Sequence, residues 1–268
     1  MILLGYGRGT NNHKADRSKG YKMNQKDDLL FYDRVQVAFD QRYRQKKMTN
    51  ITISLVIVAL GVSSFMYGLQ LESIRTIFRW MTVDGTVFTT AGALVFVAVN
   101  LVEVLAHTEM TRVPVYYIRL SSAVAESVVF LVVMFSQLPF FEEHLPIFDR
   151  YDSFVMHVLI PILGVASFLV NDSPIGRLSP AKRWHGTWYV TFYAVAILTL
   201  IEIGKLPSDM IPYFFLDYRR NGWGVFLCAF TFVYGSAYLM AWRLSEWNRK
   251  LSWLWFRGII DVAQKHMG

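Results

Sequence analysis

Six stretches of about twenty apolar residues, at 51–70, 83–105, 116–138, 153–171, 184–204 and 222–242, run through this 268-residue sequence. A hydrocarbon core roughly 30 Å thick takes about 20 helical residues to cross, and inside it each backbone amide must find its partner within its own helix. The stretches therefore predict an all-α, polytopic membrane protein with six transmembrane helices. The crossings and their short connections occupy 51–245, which leaves no room for a separate soluble catalytic domain. Any chemistry belongs in or at the bilayer. With 54% of residues hydrophobic, 16% aromatic and only 18% charged, the chain is also too apolar for an ordinary soluble domain of this size.

The flanks read differently. Residues 1–28 hold an apolar run of only three residues before polar, basic and glycine-rich sequence; this is no signal peptide. The segment is expected to be a disordered arm, with Met23 a candidate native start. From 29 to 50, Val35, Phe39 and Tyr43 recur at spacing four while Arg34, Arg42, Arg44, Lys46 and Lys47 take other faces, which predicts an amphipathic interfacial helix. Residues 246–268 mirror it, with Trp247, Leu251, Leu254, Trp255, Ile259 and Val262 on one stripe and Arg249, Lys250 and Arg257 elsewhere. With both termini placed in the cytoplasm, the inner segments hold 21 of the 27 Lys and Arg residues and the outer loops 6, the asymmetry that the positive-inside rule demands. Anionic headgroups thus account for the net charge of +7, and membrane lipids rather than nucleic acid are the expected partners. The localisation that follows is a multi-pass integral membrane protein, in the cell membrane if the source is bacterial. The lone cysteine, Cys228, excludes a disulfide within the chain. No internal repeat stands out.

Polar residues inside a span cost about 2.5–3.5 kcal/mol each on insertion scales when charged, so each one calls for an account. Thr82, Thr86, Thr89 and Thr90 fall in the first turns of the second helix, which this topology starts at the outer face. His157 falls in the second turn of the fourth helix, at a similar depth, and Asp217 and Tyr218 precede the sixth helix on the same side. Pro161 lies four residues after His157, so the proline removes a hydrogen bond to the His157 carbonyl and predicts a bend at the histidine. Ser153, one turn earlier, is placed to bond a ring nitrogen of His157. Plain structural roles compete with functional ones here: His157 as an interfacial histidine, and the threonines and Asp84 as helix caps or back-bonding hydroxyls. What capping does not need is the aromatic, basic "FRW" directly before Thr82.

The run "FRWMTVDGTVFTTAGALV" resembles the aromatic–Thr motif that opens the second helix in the androgen-induced and androgen-dependent membrane protein family, whose bacterial six-pass relatives read "FRYFTVLSN". "HVLIPIL" is similar to the family's histidine segment, and "IPYFFLD" to the "YPYPFLD" before the last helix of the bacterial members. The three motifs stand in family order across roughly 51–245. Gly85 and Thr86 stand where the bacterial motif has Ser-Asn. The animal members are intramembrane threonine hydrolases that cleave fatty acid esters of hydroxy fatty acids. The resemblance implies that Thr82 is the nucleophile and His157 the catalytic histidine, acting on a lipid or hydrophobic acyl ester.

A threonine hydroxyl needs a base within hydrogen-bond reach, and an imidazole that titrates near neutrality serves as base and then as acid. Ser153, Asp84, Asp217 and Thr86 are candidates for polar support of such a dyad, and backbone amides near Gly85 for an oxyanion site at the helix start. A transporter or channel is the competing reading, carried by Glu126 near the middle of the third helix, with Arg119 about 10 Å of helical rise away; Glu103 and Glu202 lie near span ends. A receptor or assembly protein without enzymatic activity is the third. The histidines, His13, His107, His144, His157, His185 and His266, show no metal-ligand spacing, and no glycine-rich loop stands in a nucleotide-binding context. No cofactor and no metal are expected.

Overall fold

The computed structural model describes residues 25–73, 77–106, 113–137, 149–171 and 176–265. Most of the expected N-terminal arm and the extreme C-terminus fall outside them, as do His13, His107, His144 and His266. Among the described residues all regular structure is helical. Five helical segments are long and apolar enough to cross a membrane: Gln41–Leu71, Met81–Ala106, Val113–Phe135, Tyr151–Val170 and Tyr218–Gly258. The chain is a multi-pass membrane protein by this criterion.

Helix α1 spans Gln25–Leu71 and joins the expected interfacial segment to the first crossing without a break. No glycine or proline lies between residues 25 and 60, so nothing in the backbone chemistry stops the helix where hydropathy changes. α2 is Met81–Ala106, and α3 is Val113–Val132 with a π-helical turn, Val133–Gln137, at its end. In α4, Tyr151–Phe154 and Ile160–Asn171 are α-helical and Val155–Leu159 between them is a π turn. That wider turn falls on His157, directly before Pro161, where the missing proline N–H leaves an α-helical bond unmade.

The fifth apolar stretch is built in pieces. Pro180–Arg183 is α-helical, Trp184–Thr187 is a 3₁₀ turn and Trp188–Glu202, called α5 here, is α-helical again. α5 alone is too short to count among the five long segments. The last helix, α6, spans Tyr218–Lys265 and is interrupted by Gly222 at φ 83°, a left-handed value that glycine adopts at little cost. Beyond that point α6 continues through 246, where a separate amphipathic tail is expected from the sequence, again with no proline to stop it.

Polarity is sorted opposite to a soluble protein. Phe192, Leu105, Val195 and Val170 lie exposed on the outside, while Asn50, Ser54, Thr86, Thr89, Asn100, Glu126 and Asn248 are buried between helices. In a bilayer the outer residues meet lipid, and the buried polar groups find partners across helices. Asn248 of α6 donates from Nδ2 to the carbonyls of Phe168 (3.0 Å) and Leu169 (3.2 Å), satisfying acceptors near the end of α4 that no helical amide reaches. Lys47 Nζ pairs with Glu103 Oε2 at 2.6 Å, both almost fully enclosed. Small residues allow close approach: a Cβ placed on Gly186 lies 2.6 Å from the Cβ of Ala241 in α6.

Candidate functional site

The first turn of α2 forms the site. The sequence folds this way locally because the Trp80 carbonyl accepts from the amides of Val83 (3.1 Å) and Asp84 (3.2 Å), starting the helix at Met81. Successive helical residues point about 100° apart, and here the two directions have different neighbours. Val83 packs with Ile77 and Met156. Thr82, buried, lines a cavity of about 600 Å³, open mouth included, together with Val128, Val129, Tyr193, Tyr213 and Phe230.

Nearly all of the cavity wall is hydrocarbon or aromatic ring. Its polarity is gathered at Thr82, where three tyrosines converge on the start of α2. Tyr189 O–H donates to the Met81 carbonyl at 3.4 Å, and Tyr193 O–H to the Arg79 carbonyl at 2.7 Å. The Tyr213 phenol meets the Thr82 hydroxyl and the Met81 backbone amide. Tyr213 is held from outside by an edge contact with Trp80 and a stack with Phe215. Burial pushes its phenol up to about 12, even though the Thr82 hydroxyl and the Met81 amide favour the ionised form. Near neutral pH Tyr213 is therefore a neutral O–H donor and no base.

Asp84 lies within electrostatic reach of all three phenols, so it belongs to the same cluster. Gly85, a turn into the helix, faces Tyr189 and Val129; the amide that turns towards the phenols is that of Met81. Thr86 is fully buried, and among the described residues its hydroxyl has no hydrogen-bond partner. Asp217 Oδ1 accepts from the Arg220 amide at 3.2 Å, capping the N-terminus of α6.

His157 sits half-buried on the π turn of α4. Its Nδ1 lies 2.8 Å from the Ser153 carbonyl and 3.2 Å from the Ser153 hydroxyl. A carbonyl only accepts, so Nδ1 carries the ring proton and Nε2 is the basic nitrogen. The pairing with Ser153 matches the sequence spacing. Among the described residues, however, the cavity wall contains Thr82 and no histidine. The two elements touch through the neighbours of these residues, Val83 and Met156.

No protein-family model, curated protein or solved structure matches the chain.

Three site residues were not singled out from the sequence: Tyr189, Tyr193 and Tyr213. Tyr189 and Tyr193 stand four apart within an apolar stretch, a spacing that puts both on one helix face and that contained the signal. Tyr213 lies inside the "IPYFFLD" motif itself.

Proposed function

We propose that the chain crosses the bilayer six times with both ends in the cytoplasm, and that it cleaves a lipid or fatty-acid ester with Thr82 as nucleophile and His157 as base, near the outer face. The sixth crossing rests on the piecewise segment at 184–202: four 3₁₀ residues rising about 2 Å each and fifteen α-helical ones rising 1.5 Å together reach roughly 30 Å. An even number of crossings agrees with the charge distribution.

The observation that carries the hydrolytic reading is the cavity: an apolar wall for an acyl chain, ending at one buried hydroxyl flanked by phenol donors. In the reaction the Thr82 oxygen attacks the ester carbonyl and its proton passes to Nε2 of His157. Tyr213 and the Met81 amide donate to the developing oxyanion. The tetrahedral intermediate expels the alcohol, which takes the proton from the imidazolium, and water then releases the acid from acyl-Thr82 by the same route. The bond from His157 Nδ1 to Ser153 favours this role, because it presents Nε2 as the base.

A second reading, capture of an acyl lipid without cleavage, is favoured by the absence of a histidine from the described cavity wall. The two separate on the purified protein with a fluorophosphonate probe and with ester turnover. Hydrolysis predicts labelling and turnover that vanish in Thr82→Ala and in His157→Ala. Unlabelled wild-type protein that carries bound lipid supports capture, and labelling undiminished in both variants removes Thr82 and His157 from the chemistry.

A further inference from the structure

Far along α6, an arginine stands on a face that the rest of the bundle leaves uncovered. Arg243 is exposed, and so are Leu239 one turn before it and Trp247 one turn after it. Residues four apart share a helix face, so Arg243 interrupts an apolar stripe of the kind that meets lipid. Its depth follows from the helix rise. The helix is regular beyond Gly222, and Arg243 lies 21 residues further on, about 32 Å at 1.5 Å per residue, the thickness of a hydrocarbon core. The guanidinium therefore sits at headgroup level on a lipid-facing surface, where the anions at hand are those of the membrane itself.

Other guanidiniums gather beside it. Arg243 lies over the Trp242 indole at 4.5 Å, and Arg183 over the same ring at 5.1 Å. Arg183 belongs to the short segment before α5, which α6 holds in place: Trp184 packs on Tyr238 with ring centroids 4.8 Å apart, and the Tyr238 O–H donates to the Pro180 carbonyl at 3.4 Å. One turn past Trp242, Oε2 of Glu246 accepts from Arg249 Nε (3.3 Å) and Nη2 (2.8 Å), and Oε1 lies 3.5 Å from Arg177 Nε. Arg183 is within electrostatic reach of the same carboxylate. Among the described residues, four guanidiniums thus collect around one carboxylate, and both oxygens of that carboxylate are already engaged.

The excess positive charge is accessible. The Arg177 side chain is 77% exposed and that of Arg249 42% exposed, while Trp242 holds Arg183 by stacking, with no hydrogen-bond partner for its Nε among the described residues. Forked guanidiniums match the several oxygens of a phosphate. The indoles of Trp184 and Trp242 are the amphipathic rings that favour the membrane–water boundary.

We propose that Arg177, Arg183, Arg243 and Arg249, grouped about Glu246 and Trp242, form a binding site for the phosphate of an anionic membrane lipid, whose acyl chains run along the Leu239 side of α6. General attraction of a basic surface to anionic lipid needs charge alone; this site needs the guanidinium forks. It uses no residue of the Thr82 cavity and stands apart from any chemistry there.

Native mass spectrometry of the full-length protein in neutral detergent, titrated with phosphatidylglycerol or phosphatidylcholine, resolves lipids bound one at a time. The first phosphatidylglycerol should bind more tightly than the first phosphatidylcholine. Arg243→Gln and Arg177→Gln should each weaken that event about tenfold, the effect of losing one charge-assisted hydrogen bond. Arg243→Lys keeps the charge, loses the fork and should weaken it measurably. Arg257→Gln is the control, because Arg257 also lies over an indole of α6, that of Trp253, at 5.5 Å, but 14 residues further along the helix; it should leave the first binding event unchanged. An equal loss in Arg257→Gln, or wild-type binding in Arg243→Lys, would reduce the site to diffuse charge and overturn the proposal. Displacement of phosphatidylglycerol by excess inorganic phosphate would assign the site to a soluble anion and overturn it too.

Discussion

The two ends of α2 carry polar residues into the bundle in opposite ways. At the C-terminal end Glu103 meets Lys47 in a buried ion pair, and Asn100 donates from Nδ2 to the Phe96 carbonyl at 2.6 Å; charge is matched with charge. At the N-terminal end Thr82, Tyr193, Tyr213 and Tyr234 line a cavity whose other walls are apolar. A closed pair holds helices together, whereas polarity left facing empty apolar space is what a ligand with one polar group and a long chain requires. Position along one helix therefore separates polarity that serves stability from polarity available for function, although both look alike as isolated polar residues in an apolar run.

The sharpest way to break this contrast is Glu103→Ala. It takes the carboxylate partner from a buried ammonium, and removing one partner of a buried pair costs about 3–5 kcal/mol. Thermal or denaturant unfolding of the purified protein should show that loss, while a Lys47→Met, Glu103→Leu double variant should recover most of it. Equal losses in the single and double variants would mean that the pair acts through something other than matched charge.

The middle of α2 lies between these extremes. Thr89→Val leaves Ser122 without an acceptor and Glu126 without a donor, so it should destabilise by about 1–3 kcal/mol. The cost should shrink when Glu126 is replaced by Leu in the same chain, as groups in one network do not add independently. Additive losses would separate the two residues energetically.

How much of this was legible follows from the kind of signal each feature leaves. Helical class and the positions of the crossings come from local hydropathy, and the π turn at His157 comes from Pro161 four residues later, also local. The Ser153–His157 contact is again one helical turn. The cavity is not local: it joins the start of α2 to α3, α5 and the 211–217 segment, and no spacing in a single sequence reports which face of one helix meets which face of another. Thr82 was named because its own surroundings are odd. Tyr213, 131 residues further on in the numbering, contributes only through tertiary packing. The continuation of α1 across residue 50 and of α6 across residue 245 was missed for the opposite reason: hydropathy changes there, but no helix-stopping residue stands there.

At the Thr82 end, Tyr213→Phe removes one O–H and keeps the ring stack. The stability change should be about 1 kcal/mol, the net worth of a typical hydrogen bond. Should Thr82 act on esters, turnover should fall by roughly 10²-fold, the usual effect of losing one oxyanion donor. The phenol itself should titrate near pH 12 in the folded protein, against about 10 for an exposed tyrosine. Between those values the unfolded phenol has lost its proton and the folded one has kept it, so stability falls as pH rises through that window and is unaffected below it. Ultraviolet titration of the wild type against Tyr213→Phe reads the shift: the difference between the two curves should emerge near pH 12, and a difference centred near pH 10 would place Tyr213 in contact with solvent.

The smallest effect sharpens the comparison most, because it concerns adjacent residues of one type. Thr90 O–H donates to the Thr86 carbonyl at 2.7 Å, one turn back in its own helix. That carbonyl is already a helical acceptor, so the hydroxyl completes no network, and bonds of this kind contribute little to helix stability. Thr90→Val keeps the branched shape where the side chain packs against Gly61 of α1. Its unfolding free energy should stay within about 0.5 kcal/mol of wild type, the range of substitutions that touch no special feature. Thr89→Val, one position earlier, should cost several times more. A loss at Thr90 as large as at Thr89 would show that close contact with Gly61, and not the reach of a hydroxyl across to the next helix, decides what a threonine contributes on this face.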